Sequence, residues 1–169
     1  GGSCFPKDCL SLLNQASEKG EKLNVLEGVV VTNEYQINYF HKKILDYFES
    51  KELKKSITIL GLSFKPNTDD IRESRGVLLY NLLLKSDFDI KCYDPMDLKF
   101  TDENISYFKN INQAVSDTKA LVIAVEDKNF IELDFQSLKE KGLKAIFDGR
   151  NILKNTSKDL KGLDYISIG

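Results

Sequence analysis

A single histidine, His41, stands in the 169 residues, beside three cysteines and no tryptophan. The lone His41 excludes a zinc centre built on histidines and argues against a catalytic triad that needs one. Cys4, Cys9 and Cys92 are an odd set without metal-ligand spacing, so they read as reduced thiols in a cytoplasmic protein. No apolar run is long enough to span a bilayer, and no secretory leader is expected. Charge is nearly balanced, with 24 Lys and Arg against 26 Asp and Glu. That balance leaves no footprint for nucleic acid or a membrane surface, and neither is expected as a partner. The glycine-rich dinucleotide loop G-x-G-x-x-G is missing too. Where a first strand would turn into a helix the chain reads Gly61-Leu62-Ser63-Phe64-Lys65-Pro66-Asn67, so this sheet is not expected to hold a dinucleotide in the ordinary way. Internal repeats and low-complexity tracts are absent.

What is present is a soluble globular composition, 41% hydrophobic and 30% charged, in a chain long enough for one core of ordinary size. Chemistry is concentrated at the start, in Gly1-Gly2-Ser3-Cys4-Phe5-Pro6-Lys7-Asp8. Two glycines allow close backbone approach to a ligand, and Pro6 suits the first turn of a helix. Cys4 therefore falls where a loop becomes a helix, a position that favours the thiolate, with Lys7 one turn away to favour it further. Asp8, four residues after Cys4, is in reach as an acid, a base or a water-positioning group. The alternative reading of Cys4 is a small buried residue at a helix start. Because the chain opens on its most reactive motif, it is expected to be a fragment of a larger enzyme.

Helical spacing predicts a short helix over 6–19, stopped by Gly20, and a long one from Leu23 to about Ser50. Leu26, Val30, Ile37, Phe40, Ile44 and Phe48 recur along the second, and Val29 and Val31 widen its apolar surface. A helix apolar on more than one face wants a second partner. His41 is expected at a surface or interface, without a catalytic role. A charged linker follows, dividing a helical region, 1–52, from a domain over 53–169.

The second region alternates strands and helices. Strands are expected at 56–61, 89–93, 120–125 and 144–148, with a possible fifth at 165–168. Helices are expected at 74–85, 111–116 and 133–141, with Val77, Leu78, Tyr80, Leu82 and Leu84 supplying the apolar faces of the first. This alternation predicts an α/β fold with a parallel sheet and right-handed crossovers, binding ligands at the carboxyl ends of its strands. Phe64-Lys65 and Gly149-Arg150 fall at those ends. Lys65 is a point charge suited to phosphate, and Arg150 a planar fork suited to phosphate or uracil oxygens. Asp69, Asp70, Arg72 and Glu73 make a charge-dense loop in which the acidic pair is expected to brace the backbone rather than bind metal.

Three stretches resemble motifs of the nucleotide-sugar 6-dehydrogenases, of which UDP-glucose 6-dehydrogenase is the type member. They are GGSCFPKD at 1–8, GLSFKPNTDDIRES at 61–74 and Asp148-Gly149-Arg150-Asn151. They occur in the family's order and span nearly the whole chain. The resemblance covers the C-terminal two-fifths of such an enzyme, and nothing resembles its N-terminal cofactor domain.

It implies a Rossmann-like sheet domain preceded by a long helix that joins two domains and forms a homodimer, with Asn33-Glu34-Tyr35-Gln36 as that helix's polar patch. The activity implied is an NAD-dependent oxidoreductase that takes the C6 alcohol of a UDP-sugar, UDP-glucose first, to a carboxylate. Cys4 would attack the aldehyde and carry a thiohemiacetal and then a thioester, which water hydrolyses with help from Asp8. Lys7 and Arg72 would face the cofactor NAD, and Gly1, Phe64, Lys65 and Arg150 the substrate. UDP-N-acetylhexosamine and GDP-mannose dehydrogenation share this chemistry, and an inactive nucleotide-sugar-binding or dimerisation module is the remaining alternative. One departure is Arg75-Gly76 after Arg72-Glu73-Ser74, where the family often has Pro or Ala. It adds a charge and a glycine expected to loosen the helix start.

Overall fold

In a computed structural model the described residues are 5–100, 105–154, 156 and 159–168. Helix α1 runs Phe5–Glu18, with Gly20 in the left-handed region (φ 74°) just past its end. Helix α2, Asn24–Ser50, follows as one continuous element of 27 residues. Beyond it come β1 (Ser56–Leu60), α3 (Arg75–Leu84), β2 (Asp89–Tyr93), β3 (Tyr107–Phe108), α4 (Ile111–Ala114) and β4 (Ala120–Ile123). Then follow α5 (Lys128–Ile131), α6 (Phe135–Glu140), β5 (Ala145–Asp148) and β6 (Asp164–Ser167). The strands pair side by side in parallel, in the order β3-β2-β1-β4-β5-β6. That is a doubly wound order, with its reversal point between β1 and β4.

Strands β1, β4 and β5 are buried at every position, and alternation sends their side chains into two cores. Ile57, Ile59, Val122 and Phe147 face one core, closed by Phe40, Ile44 and Phe48 of α2 and by Leu79 and Leu83 of α3. Leu60, Leu121, Ile123 and Ile146 face the other, closed by Phe130, Phe135 and Leu138. Edge-to-face rings lock α2 in place, Phe48 on Phe88 at 4.9 Å and Tyr47 on Phe147 at 5.5 Å. His41 meets Ser86 at 3.1 Å across the α2–α3 seam, and partial burial lowers its pKa.

Several expectations need correction. Residues on both sides of the 52/53 division share one core, because Phe40, Ile44 and Phe48 pack with β1. Those three are therefore turned into the chain's own sheet and are not free to pair two chains. Helix α3 buries Leu79, Tyr80 and Leu83, leaving Leu78 and Leu84 41% and 51% exposed. Its run Val77-Leu78-Leu79-Tyr80 is apolar all round, so periodicity carried no information about which side would face the sheet. Strand β3 and helix α5 were not anticipated, being only 2 and 4 residues long.

Gly76 is buried, not a loosening element. A Cβ there would collide with the Gly61 carbonyl oxygen, so the glycine lets α3 close onto the end of β1. Gly61 itself has φ 95° and is crowded by Val125.

Candidate functional site

Two buried aspartates end two strands and each builds a loop. Asp94, after β2, accepts from the amides of Leu62 (2.7 Å) and Ser63 (2.8 Å) with Oδ2 and from Met96 N–H (2.9 Å) with Oδ1. Asp148, at the end of β5, accepts from Arg150 N–H (3.0 Å) with Oδ1, and from Leu153 N–H and the Tyr165 hydroxyl (each 2.9 Å) with Oδ2. Burial, reinforced by the bond to Asp148, pushes the Tyr165 phenol pKa upward. Three donors on each carboxylate offset the desolvation of the charge. Neither bracing role was read from the sequence. The only local signal was an Asp closing an apolar strand, and the donors lie up to 32 residues away.

The Asp148 turn presents Gly149 and Arg150. Gly149 is pressed between the Ile123 carbonyl oxygen and the Phe40 ring, and a Cβ would lie 3.1 Å and 3.2 Å from them. Arg150 reaches over the rim, where Nη2 donates to Glu126 Oε1 at 2.8 Å. This pair is 39% and 52% exposed, so it contributes only about 0–1 kcal/mol and is readily exchanged for a stronger anion. Below Arg150 lies a cleft of about 650 Å³, walled by the N-terminal half of α2, the start of α3 and the carboxyl ends of β4 and β5. Gln36, Phe40, Arg75, Ala124, Gly149 and Arg150 are among its lining. It sits beside the reversal point of the sheet, where doubly wound folds take ligands.

The 61–74 loop closes on itself. Phe64 N–H donates to the Asp70 carbonyl (2.6 Å) and Ser74 Oγ to the Ser63 carbonyl (3.2 Å). Asp70 accepts from Arg72 Nε and Nη2 and from its amide, and this holds the Asp70 carboxyl down to about 2. The expected bracing role is thus met by Asp70. Lys65 and Arg72 are exposed, and neither they nor Phe64 line the cleft.

The loop does not fit a dinucleotide pyrophosphate. The amides that would cradle it are already satisfied: Leu62 and Ser63 by Asp94, and Gly76 and Val77 by the buried N-cap Ser74. The loop thus offers none of these amides free for a pyrophosphate.

Helix α1 lies against α2, beside a smaller cavity of about 100 Å³ lined by Phe5, Cys9 and Val30 of these helices and by Arg75 of α3, among others. Lys7 and Asp8 are exposed on α1. Gly1 and Cys4 lie outside the described residues. Cys92 is fully buried, and burial pushes its thiol up to about 12. Among the described residues no His, Cys, Asp and Glu cluster could hold a metal, and no helix is long and apolar enough to cross a membrane.

Residues 58–155 match the UDP binding domain of the UDP-glucose/GDP-mannose dehydrogenase family. The whole chain aligns at 33% identity with 38% of the UDP-glucose 6-dehydrogenase TuaD of Bacillus subtilis. A UDP-D-ManNAc dehydrogenase of Pyrococcus horikoshii superposes with TM-score 0.80 and 26% identity, over 99% of this chain and 38% of that one. A UDP-glucose dehydrogenase of Pyrobaculum islandicum does so with TM-score 0.77 and 28% identity, over 100% and 37%. The chain thus spans about two-fifths of these relatives. The doubly wound sheet, the braced Asp148-Gly149-Arg150 turn over its cleft and the domain match agree, and the chain belongs to the UDP-glucose/GDP-mannose dehydrogenase family.

Proposed function

We propose that the chain is the UDP-sugar-holding part of an NAD-dependent UDP-glucose 6-dehydrogenase. The observation that carries this reading is the cleft at the ends of β4 and β5, capped by an Arg150 that Asp148 holds by its backbone. Arg150 would exchange Glu126 for the nucleotide, a charge-assisted contact worth about 1.5–3 kcal/mol. Lys65, free of any ion pair among the described residues, would add a phosphate contact from the loop tip. Gly1 and Phe64 would complete the substrate side, Phe64 from the 61–74 loop outside the cleft lining.

In the whole enzyme the Cys4 thiolate would add to the C6 aldehyde left by a first hydride loss, the thiohemiacetal would give up a second hydride to become a thioester, and Asp8 would position the water that cleaves the C–S bond to release the acid and the free thiol. NAD, when bound, would supply the hydride acceptor, and Lys7 and Arg72, both exposed, would face it. Two chains pair through the N-terminal half of α2, where Val31 and Tyr35 are 61% and 60% exposed.

The test is titration calorimetry of UDP-glucose into the chain and into Arg150→Ala. Binding weakened about tenfold or more by the substitution supports the reading, and equal affinity removes Arg150 from the site. The catalytic assignment is read in the full-length enzyme, where Cys4→Ala should abolish acid formation.

A further inference from the structure

Arg75 is the first residue of α3 and lines both the large cleft and the small cavity beside α1. Only Val29, Asn33 and Arg75 are common to the two linings, so the spaces share one wall, and Arg75 is the cation on it. It is half-buried, and among the described residues it makes no ion pair or side-chain hydrogen bond. Arg150, across the cleft, is already neutralised by Glu126 at 2.8 Å. Among the described residues the large cleft has no acidic side chain in its lining, and the small cavity has only Glu34, which is exposed. A guanidinium with five N–H donors and no acceptor of its own is thus aimed at the junction of two cavities.

A nucleoside diphosphate sugar has its parts in fixed linear order: base and ribose, then diphosphate, then sugar. On the reading proposed above, the nucleotide lies in the cleft under Arg150. The sugar points to the start of α1, where Phe5, the neighbour of Cys4, lines the small cavity. The diphosphate then falls between them, against the shared wall.

We propose that Arg75 binds the diphosphate from the cleft wall, in addition to the Lys65 contact from the loop, and sets the chain's preference for diphosphate over monophosphate ligands. This rests on the functional reading given above. The planar fork suits bidentate contact with phosphate oxygens, and Asn33 supplies a further amide donor on the same wall.

Calorimetry of uridine, UMP, UDP and UDP-glucose against the intact chain, Arg75→Ala, Arg75→Lys and Arg150→Ala tests this. Arg75→Ala should weaken UDP and UDP-glucose about tenfold or more and leave uridine unchanged, with Arg75→Lys recovering part of the loss. Circular dichroism should show the Arg75→Ala fold intact, because Ala is a strong helix former and the Ser74 cap does not depend on the side chain. If the unmutated chain binds UDP but Arg75→Ala binds it equally well, or loses uridine and UDP in equal measure, Arg75 is not a diphosphate-binding residue. If the unmutated chain binds no uridine nucleotide, the functional reading itself fails and this assignment falls with it.

Discussion

The two halves of α2 share one helix and live in different environments. From Phe40 onward the helix buries Phe40, Ile44 and Phe48 at 3%, 0% and 1% exposure, in the core it shares with β1 and β5. Before Phe40 none of its residues is buried, and Val25 is 85% exposed. Length explains the difference. A strand of five residues gives a sheet about 17 Å deep, enough to cover about eleven residues of helix, whereas α2 is about 40 Å long. The remainder overhangs the carboxyl ends of the strands and becomes a wall of the cleft. A single helix thus anchors the fold at one end and shapes a site at the other.

The sharpest way to break this comparison is to truncate a ring on the seated half. Phe48→Ala removes a fully buried side chain and should cost about 3–5 kcal/mol in a denaturant melt. Val31→Ala on the overhang should stay within about 0.5 kcal/mol. Similar losses at both positions would mean that the overhang is covered within the single chain.

Association is the next contrast. Val31→Asp with Tyr35→Asp should turn a dimer into a monomer in light scattering, with little change in the melting of each chain. A charge at Phe40 would instead unfold the protein, because that ring is packed on Phe147 and Gly149. A monomer already in the unmutated chain would refute pairing through α2.

The opposite wall of the cleft depends on Asp148. Tyr165→Phe removes one of its three donors and should cost about 1.5 kcal/mol of stability. It should also weaken UDP binding by less than Arg150→Ala does, since the backbone bond to Arg150 N–H remains. A loss as large as that of Arg150→Ala would mean that Tyr165 alone holds the turn.

The smallest effect concerns pH at the junction of the two halves. Burial lowers the His41 pKa from its ordinary 6.5, so the unfolded chain binds a proton more readily than the folded one. Stability from this group is therefore full above pH 6.5 and declines as pH falls through the folded value. His41→Gln should flatten that decline in melts recorded from pH 7.5 to 5, and an unchanged slope would place its origin elsewhere.

Much of the architecture was legible because its signals are local. Apolar β-branched runs such as Ser56-Ile57-Thr58-Ile59-Leu60 mark buried strands, and Gly20 after α1 marks a helix end. The two-core alternation follows from strand geometry alone. The candidate site was legible only in part. Arg150 could be named from its motif, and the structure puts it over the cleft. Lys65 and Phe64, equally well marked, lie outside it. Arg75 looked like an anomaly and proved to line two cavities.

The amino-acid sequence by itself determined the element types and the parallel α/β class. Each rests on neighbouring residues, on periodicity or on backbone sterics. Tertiary structure alone decided the order β3-β2-β1-β4-β5-β6, the buried face of α3, the part of α2 left overhanging, and the donors gathered on Asp94 and Asp148. These are contacts between residues far apart in the chain. Their energies depend on which surfaces meet, and no local pattern encodes that meeting.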